Sequence, residues 1–305
     1  MRYVFIINPT AGKGKGPETI IPQIKNFFEK KEEYAIYVTT YQGEAREIAR
    51  AEAESGDQIR MFACGGEGTC FETLAGIVGY NNVSLGVIPC GSANDFLKFF
   101  GDKEFFLDIA DQYDGVTIPV DLIKADEYYC INACSAGMDA VVADNMHLFK
   151  RWPFVSGSMA YKLAIVKTIL GKLGMRFKVT VDDSKVFFKD CLFVLCANGP
   201  VYGGGFKSAP NANPYDGKLD YAVVETISKL KILKFLKKYE KGDYAHFDFC
   251  TLDNCQSLEI EADKPFPVNL DGEIVHKSKI RFEIVKNGIN FILPKKLAKK
   301  TLVNV

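Results

Sequence analysis

Residues 61–77 read MFACGGEGTCFETLAGI: an apolar run, three glycines within four positions around Glu67, then a stretch of apolar residues at helical spacing. The run has the composition of a buried strand, so the glycines stand at a strand-to-helix turn. Glycine lets backbone N–H groups converge on an anion with no Cβ in the way, and a following helix adds its positive N-terminal end. Read alone, the same residues also make a plain tight turn, and the surrounding sequence has to decide between the two.

Working outward, short β-rich runs at 3–7, 34–40, 59–63 and 84–89 alternate with helical patterns at about 17–31, 43–55 and 69–79. That alternation predicts an α/β domain over residues 1–122, with a parallel sheet covered by helices on both faces. Ligands of such sheets sit beyond the carboxyl ends of the strands. Three of those ends carry loops of unusual composition: NPTAGKGKG (8–16), GGEGT (65–69) and PCGSAND (89–95). Three such loops at one edge suit a polyphosphate. They are not a Walker A loop, because position 7 is isoleucine and position 14 is glycine where Ser or Thr is needed for magnesium, and GGEGT does not match GxGxxG.

From about residue 120 the pattern changes to strand runs joined by turns, among them FKVTVDDSKVFFKDCLFVLCANG and KIRFEIVKNGINFIL. A β-rich second domain over 123–294 is predicted, interrupted by helical regions at about 140–173 and 228–240. Residues 295–305 form a basic C-terminal tail, for which a return to the first domain is left open.

Composition narrows the function. Thirty-eight basic residues balance thirty-eight acidic ones, which argues against a protein that holds nucleic acid through its phosphates. The nine cysteines include no CxxC pair and several lie in apolar runs, as expected of buried thiols in a reducing cytosol. The three histidines have no zinc spacing, and no hydrolase triad is legible. The N-terminal apolar run is too short for a signal peptide and no run approaches membrane-spanning length, so membrane contact would be peripheral.

Taken together, NPTAGKGKG, GGEGT, GSANDF, NGPVYGGGFKSAPNANPYDGKLD and LDGE resemble, in order, the motifs of the diacylglycerol kinase catalytic family. That family includes bacterial lipid kinases and sphingosine kinases and is more distantly similar to NAD kinases. The resemblance runs from residue 4 to about 294. It implies an NAD-kinase-like α/β N-terminal domain, a β-sandwich-like C-terminal domain, and ATP- and magnesium-dependent phosphoryl transfer to a lipid hydroxyl. Carried over by motif, Asn8, Thr10, Gly12 and Lys13 line the ATP phosphates, with Thr40 nearby. Gly65, Gly66, Glu67, Gly68 and Thr69 form the central phosphate loop and Ser92 the third, while Asp95 sits at the reacting end. Glu273, in LDGE, is the proton acceptor or its close partner. Asp216, with carbonyls of Asn213 and Lys218, helps hold a structural magnesium ion. By composition alone, the D-G pairs at 216–217 and 271–272 read as turns.

One departure stands out. The family's central loop is usually GGDGT, and Glu67 carries its carboxylate one methylene further out, which bears on metal placement. A lipid kinase acting on a diacylglycerol-like acceptor is the leading reading. An NAD-kinase-like enzyme with a soluble acceptor and a non-catalytic nucleotide or lipid binder are the alternatives. The expected setting is the cytoplasm, peripheral at the inner face of the cell membrane, without a nucleic-acid partner; a homodimer is compatible with the sequence. Residues 146–176, with Phe149, Lys150, Arg151, Trp152, Phe154, Tyr161, Lys162 and Lys167, read either as core-packing helix or as a membrane-docking surface.

Overall fold

The computed structural model describes residues 1–29, 31, 33–90, 94–150, 157–171 and 173–301. Two compact units divide the chain, Met1–Leu122 with Lys286–Val305, and Ile123–Val285.

In the first unit, β1 (Arg2–Ile7), α1 (Gly16–Phe28), β2 (Tyr34–Val38), α2 (Glu44–Ala53), β3 (Ile59–Gly65), α3 (Glu67–Ile77) and β4 (Val83–Pro89) alternate, followed by α4 (Ile109–Tyr113) and most of β5 (Val116–Ala125). The strands pair in the order β2-β1-β3-β4, each pair parallel, with Ile7 opposite Val38 and Cys64, and Cys64 opposite Ile88. Strands buried on both faces need apolar residues at every position, which is why RYVFII and VSLGVIP show no alternation. On one face Ile20, Ile24 and Phe28 of α1, at i, i+4 and i+8, pack against Tyr3, Phe5 and Phe62. The Phe5 and Phe62 rings stack with centroids 5.0 Å apart.

The second unit holds β6 (Tyr128–Cys130), β7 (Ala133–Gly137), α5 (Met138–Lys150), α6 (Gly157–Leu170), β8 (Met175–Val181), β9 (Lys185–Ala197), β10 (Leu219–Glu225), α7 (Lys229–Glu240), β11 (Cys250–Cys255), β12 (Ser257–Leu270) and most of β13 (Glu273–Leu293); α8 (Lys295–Thr301) follows in the first unit. Its pairings are antiparallel. Both long strands change partner along their length. Residues 185–191 of β9 pair with β8 and 193–197 with β7, while residues 258–261 of β12 pair with β8 and 268–270 with β7. The register of β12 against β13 shifts between Glu261 and Phe266, an irregularity of the bulge kind. Phe235 and Tyr239 of α7 pack with Phe193, Leu195 and Tyr244 in this unit's core.

One boundary differs from the sequence reading. KIRFEIVKNGINFIL lies in one strand, but Asn290 and Phe291 pair in parallel with Ser84 and Leu85 of β4, so residues 286–294 belong to the first unit. Pairing partners, unlike strand propensity, are set by tertiary contacts and leave no local signal. The basic tail is likewise part of that unit: Leu297 and Ala298 are buried, Lys296 Nζ lies 2.9 Å from Asp108 Oδ2, and the Lys296 N–H donates to Asp111. The helical region read at 140–173 is two helices, α5 and α6. Among the described residues no helix is long and apolar enough to cross a membrane.

Candidate active site

The loops after β1, β3 and β4 leave the same edge of the first unit's sheet, because β3 lies between the other two. They are tied together by side-chain and backbone bonds. The Asn8 N–H donates to Cys64 O and the Cys90 N–H to Gly65 O. Asn8 Nδ2 donates to Thr69 Oγ1 at 3.3 Å, and its Oδ1 accepts the N–H and hydroxyl of Thr10. Asn94 Nδ2 reaches Gly65 O at 3.2 Å. From the central motif, Glu67 Oε1 accepts the backbone N–H of Asp95 at 3.1 Å.

Packing explains one of the glycines and backbone conformation another. At Gly65 an added Cβ would stand 2.2 Å from Thr69 Oγ1, so a side chain there collides with the first turn of α3. At Gly12, φ is +62°, a left-handed conformation that favours glycine. GGEGT, however, is not a loop throughout. Gly66 caps α3 in an extended conformation, and Glu67, Gly68 and Thr69 form the helix's first turn. Their N–H groups therefore belong to a helix N-terminus, with the partial positive charge that suits a phosphate.

Other predicted residues occupy defined roles. The Thr40 hydroxyl donates to Glu44 Oε2 at 2.9 Å, and its N–H bonds the same oxygen at the start of α2. Asp95 is 1% exposed and paired with Lys98 Nζ at 2.7 Å, in a 3₁₀ turn over Asp95–Phe99. Sequence reasoning missed Lys98 and Asn94. The D-x-x-K spacing was a usable signal for the ion pair. Asn94, at φ +58°, takes the left-handed conformation that asparagine tolerates better than most residues. Ser92 lies outside the described residues, as does the side chain of Lys13.

In the second unit, motifs far apart in sequence gather at one edge of the sheet. Ala133 at the start of β7 is paired with Ala197 at the end of β9, Asp220 of β10 with the same Ala197, and Leu270 at the end of β12 with Cys134. Asp271 and Gly272 form the two-residue turn between β12 and β13, with φ of +48° and +99°, as an Asp-Gly hairpin requires. The Asp271 carboxylate is buried and accepts backbone N–H groups from Ile131 at 2.6 Å, Asn132 at 3.2 Å and Ala133 at 2.8 Å. It is a structural clamp on that turn. Burial outweighs the three donors and pushes its carboxyl up to about 6. Glu273, the next residue but one, is half-buried at the start of β13, opposite Leu270. Asn132 Nδ2 donates to Val201 O, and Asn198 Nδ2 to Ile131 O, so NGPV and LDGE are both fastened to residues 131–133. Asn132 had no motif to flag it.

Across NPYDGKLD, the Asp216 N–H donates to Asn213 O at 3.4 Å, and Asp216 Oδ1 accepts the Lys218 N–H at 3.0 Å. Asp220 stands near enough for the charge of Asp216 to reinforce burial in pushing its carboxyl up to about 6. One carboxylate with backbone carbonyls makes the kind of oxygen-only donor set that a hard cation accepts. Among the described residues no group of three or more His, Cys, Asp or Glu side chains is arranged to hold a metal.

The chain is similar to known proteins over both units. Residues 2–125 match the model of the diacylglycerol kinase catalytic domain, and residues 132–293 match that of the YegS C-terminal NAD kinase beta sandwich-like domain. A Shewanella frigidimarina protein named "Probable lipid kinase YegS-like" is 30% identical over 77% of this chain and 76% of its own. The protein named "Diacylglycerol kinase" from Bacillus subtilis is 24% identical over 98% of each chain. The chain belongs to the diacylglycerol kinase catalytic family. Its fold is also that of a solved structure described as "a putative diacylglycerol kinase from Bacillus anthracis str. Sterne", with a TM-score of 0.77, 24% identity, and coverage of 97% of this chain and 98% of that one.

Proposed function

We propose that this protein is an ATP- and magnesium-dependent kinase that phosphorylates the hydroxyl of a diacylglycerol-like lipid, working in the cytoplasm as a peripheral protein at the inner face of the cell membrane. The observation that carries the reading is the tying together of three glycine-bearing strand ends by Asn8–Thr69, Asn94–Gly65 and Glu67–Asp95. A polyphosphate needs many N–H donors held in one place before it arrives, and those bonds hold them.

In the reaction, the lipid hydroxyl oxygen forms a bond to the γ-phosphorus while the bond to the β–γ bridging oxygen breaks, and ADP leaves. Glu273 accepts the hydroxyl proton. Glu67 keeps the third loop in register through the Asp95 N–H, and Lys98 holds the Asp95 carboxylate in place. Asp216, with the carbonyls of Asn213 and Lys218, is assigned a structural magnesium ion, which would fasten that turn when bound. A lipid acceptor is favoured over a soluble one by GSAND, YDGKLD and LDGE, and by family relatives whose names carry lipid kinase.

The test is incubation with magnesium and γ-labelled ATP in the presence of a total lipid extract, followed by chromatography of the lipid phase. Label should enter a lipid, and Glu273→Gln should lower turnover by about a hundredfold with ATP binding kept, as for loss of a general base. Label passing to a water-soluble acceptor and never to lipid would refute the reading.

A further inference from the structure

Two helices of the second unit expose residues that a water-facing surface does not need. On α6 the outward side carries Met159, Val166 and Leu170, spaced as i, i+7 and i+11, and Leu170 is 74% exposed. At the start of α7, Leu230 is 81% exposed. Lys229 Nζ donates to Leu170 O at 3.0 Å, so the end of α6 and the start of α7 adjoin, and the two exposed leucines belong to one patch. The rest of α7 divides cleanly. Ile232, Phe235 and Tyr239 are buried, while Lys229, Lys231, Lys234, Lys237 and Lys238 face outward. Glu240 is the helix's one acid, and Lys238 is paired with Asp243. Lys167 adds a further exposed cation on α6.

A single exposed leucine is ordinary. Adjoining apolar residues bordered by a row of lysines are a different matter, because the two features ask for opposite solvents within a few ångströms. Nucleic acid would satisfy the lysines and leave the leucines in water. A leaflet of anionic phospholipid satisfies both, with acyl chains below the headgroup boundary and phosphates at its level. The chain's formal net charge is zero, so attraction to such a surface has to come from a local patch of this kind.

We propose that the outward faces of α6 and α7 are the surface by which this protein docks on an anionic bilayer. Leu170, Leu230 and Val166 enter the headgroup boundary, and Lys229, Lys231, Lys234 and Lys237 lie over the lipid phosphates. The proposal rests on the lipid-acceptor reading given above, which supplies the reason to visit a membrane.

Sedimentation of the full-length protein with vesicles tests it, using phosphatidylcholine alone and phosphatidylcholine mixed with phosphatidylglycerol. Binding should require the anionic lipid and weaken with salt. With each lysine near the surface contributing about fivefold, Lys231→Gln, Lys234→Gln and Lys237→Gln together should weaken binding about a hundredfold. Leu170→Glu with Leu230→Glu should weaken it at least about tenfold even at low salt. All five side chains are exposed, so melting temperatures and turnover on a short-chain, water-dispersed diacylglycerol should match the wild type. Undiminished sedimentation of both variants with the anionic vesicles would overturn the proposal. Binding that follows the variants in a protein that phosphorylates no lipid would uphold the docking surface and sink the acceptor reading. Lipid phosphorylation with sedimentation indifferent to the variants would do the reverse.

Discussion

Replacing Asp271 by asparagine removes a charge while keeping the size of the side chain, and its effect should depend on pH in a defined direction. The folded carboxyl is raised from its ordinary 3.8 to about 6. A raised acid binds its proton more tightly folded than unfolded, so its contribution to stability is full below the unfolded value and is lost as pH rises through the folded one. The span of about 2 pH units corresponds to about 3 kcal/mol, of which about 2 kcal/mol falls between pH 4.5 and 7.5. Asparagine does not titrate. Its amide nitrogen also confronts either the Ile131 or the Ala133 N–H, adding a cost of about 1–3 kcal/mol that does not change with pH. The stability difference between wild type and Asp271→Asn should therefore be largest at pH 4.5 and about 2 kcal/mol smaller at pH 7.5, or roughly 4–8 °C in relative melting temperature for a unit of this size. Paired urea titrations across that range measure it, and pH effects common to both proteins cancel. A difference that grows with pH would show that the three N–H donors outweigh burial and that the carboxyl is depressed, which would refute the reasoning.

Further predictions concern the first unit. Glu67→Asp restores the family's usual GGDGT, yet here it withdraws the carboxylate by about 1.5 Å from the Asp95 N–H it holds at 3.1 Å. Turnover should fall about tenfold, equivalent to roughly 1.4 kcal/mol of positioning; a faster enzyme would mean that the glutamate is a handicap. Gly65→Ala places a methyl group 2.2 Å from Thr69 Oγ1 and displaces the residue that Asn8 bonds. It should cost about 1–3 kcal/mol in stability and weaken ATP binding in calorimetric titration. Normal ATP affinity in that variant would remove this edge from the nucleotide site.

How much was legible can be seen residue by residue. The α/β alternation was readable because apolar period and glycine position are local properties, and buried parallel strands such as YVFII announce themselves by composition. The glycines at the three strand ends could be picked out by the same means. The start of α3 at Glu67 could not, since GGEGT fits a loop and a capped helix turn equally well until Gly66 takes its extended conformation. For the D-G pair of LDGE the turn reading holds: the hairpin exists, and its aspartate is spent on the backbone of residues 131–133. Of the docking segment read at 146–176, Arg151, Trp152 and Phe154 lie outside the described residues while α6 carries its later part, and the lysine face of α7 carried no motif at all.

By itself the sequence determined what depends on neighbours in the chain: which runs become strands and helices, where glycine is required, and the ordered motifs that place the chain in its family. Tertiary structure alone decided what depends on partners far away. Asn290 and Phe291 belong to the first unit because they pair with Ser84 and Leu85, some two hundred residues earlier, though the strand that carries them starts in the second. Asp95 is a buried ion-pair member and Asp271 a clamp because of what surrounds each carboxylate. A carboxylate's role is set by its donors and its distance from water, and neither is written in the residues beside it.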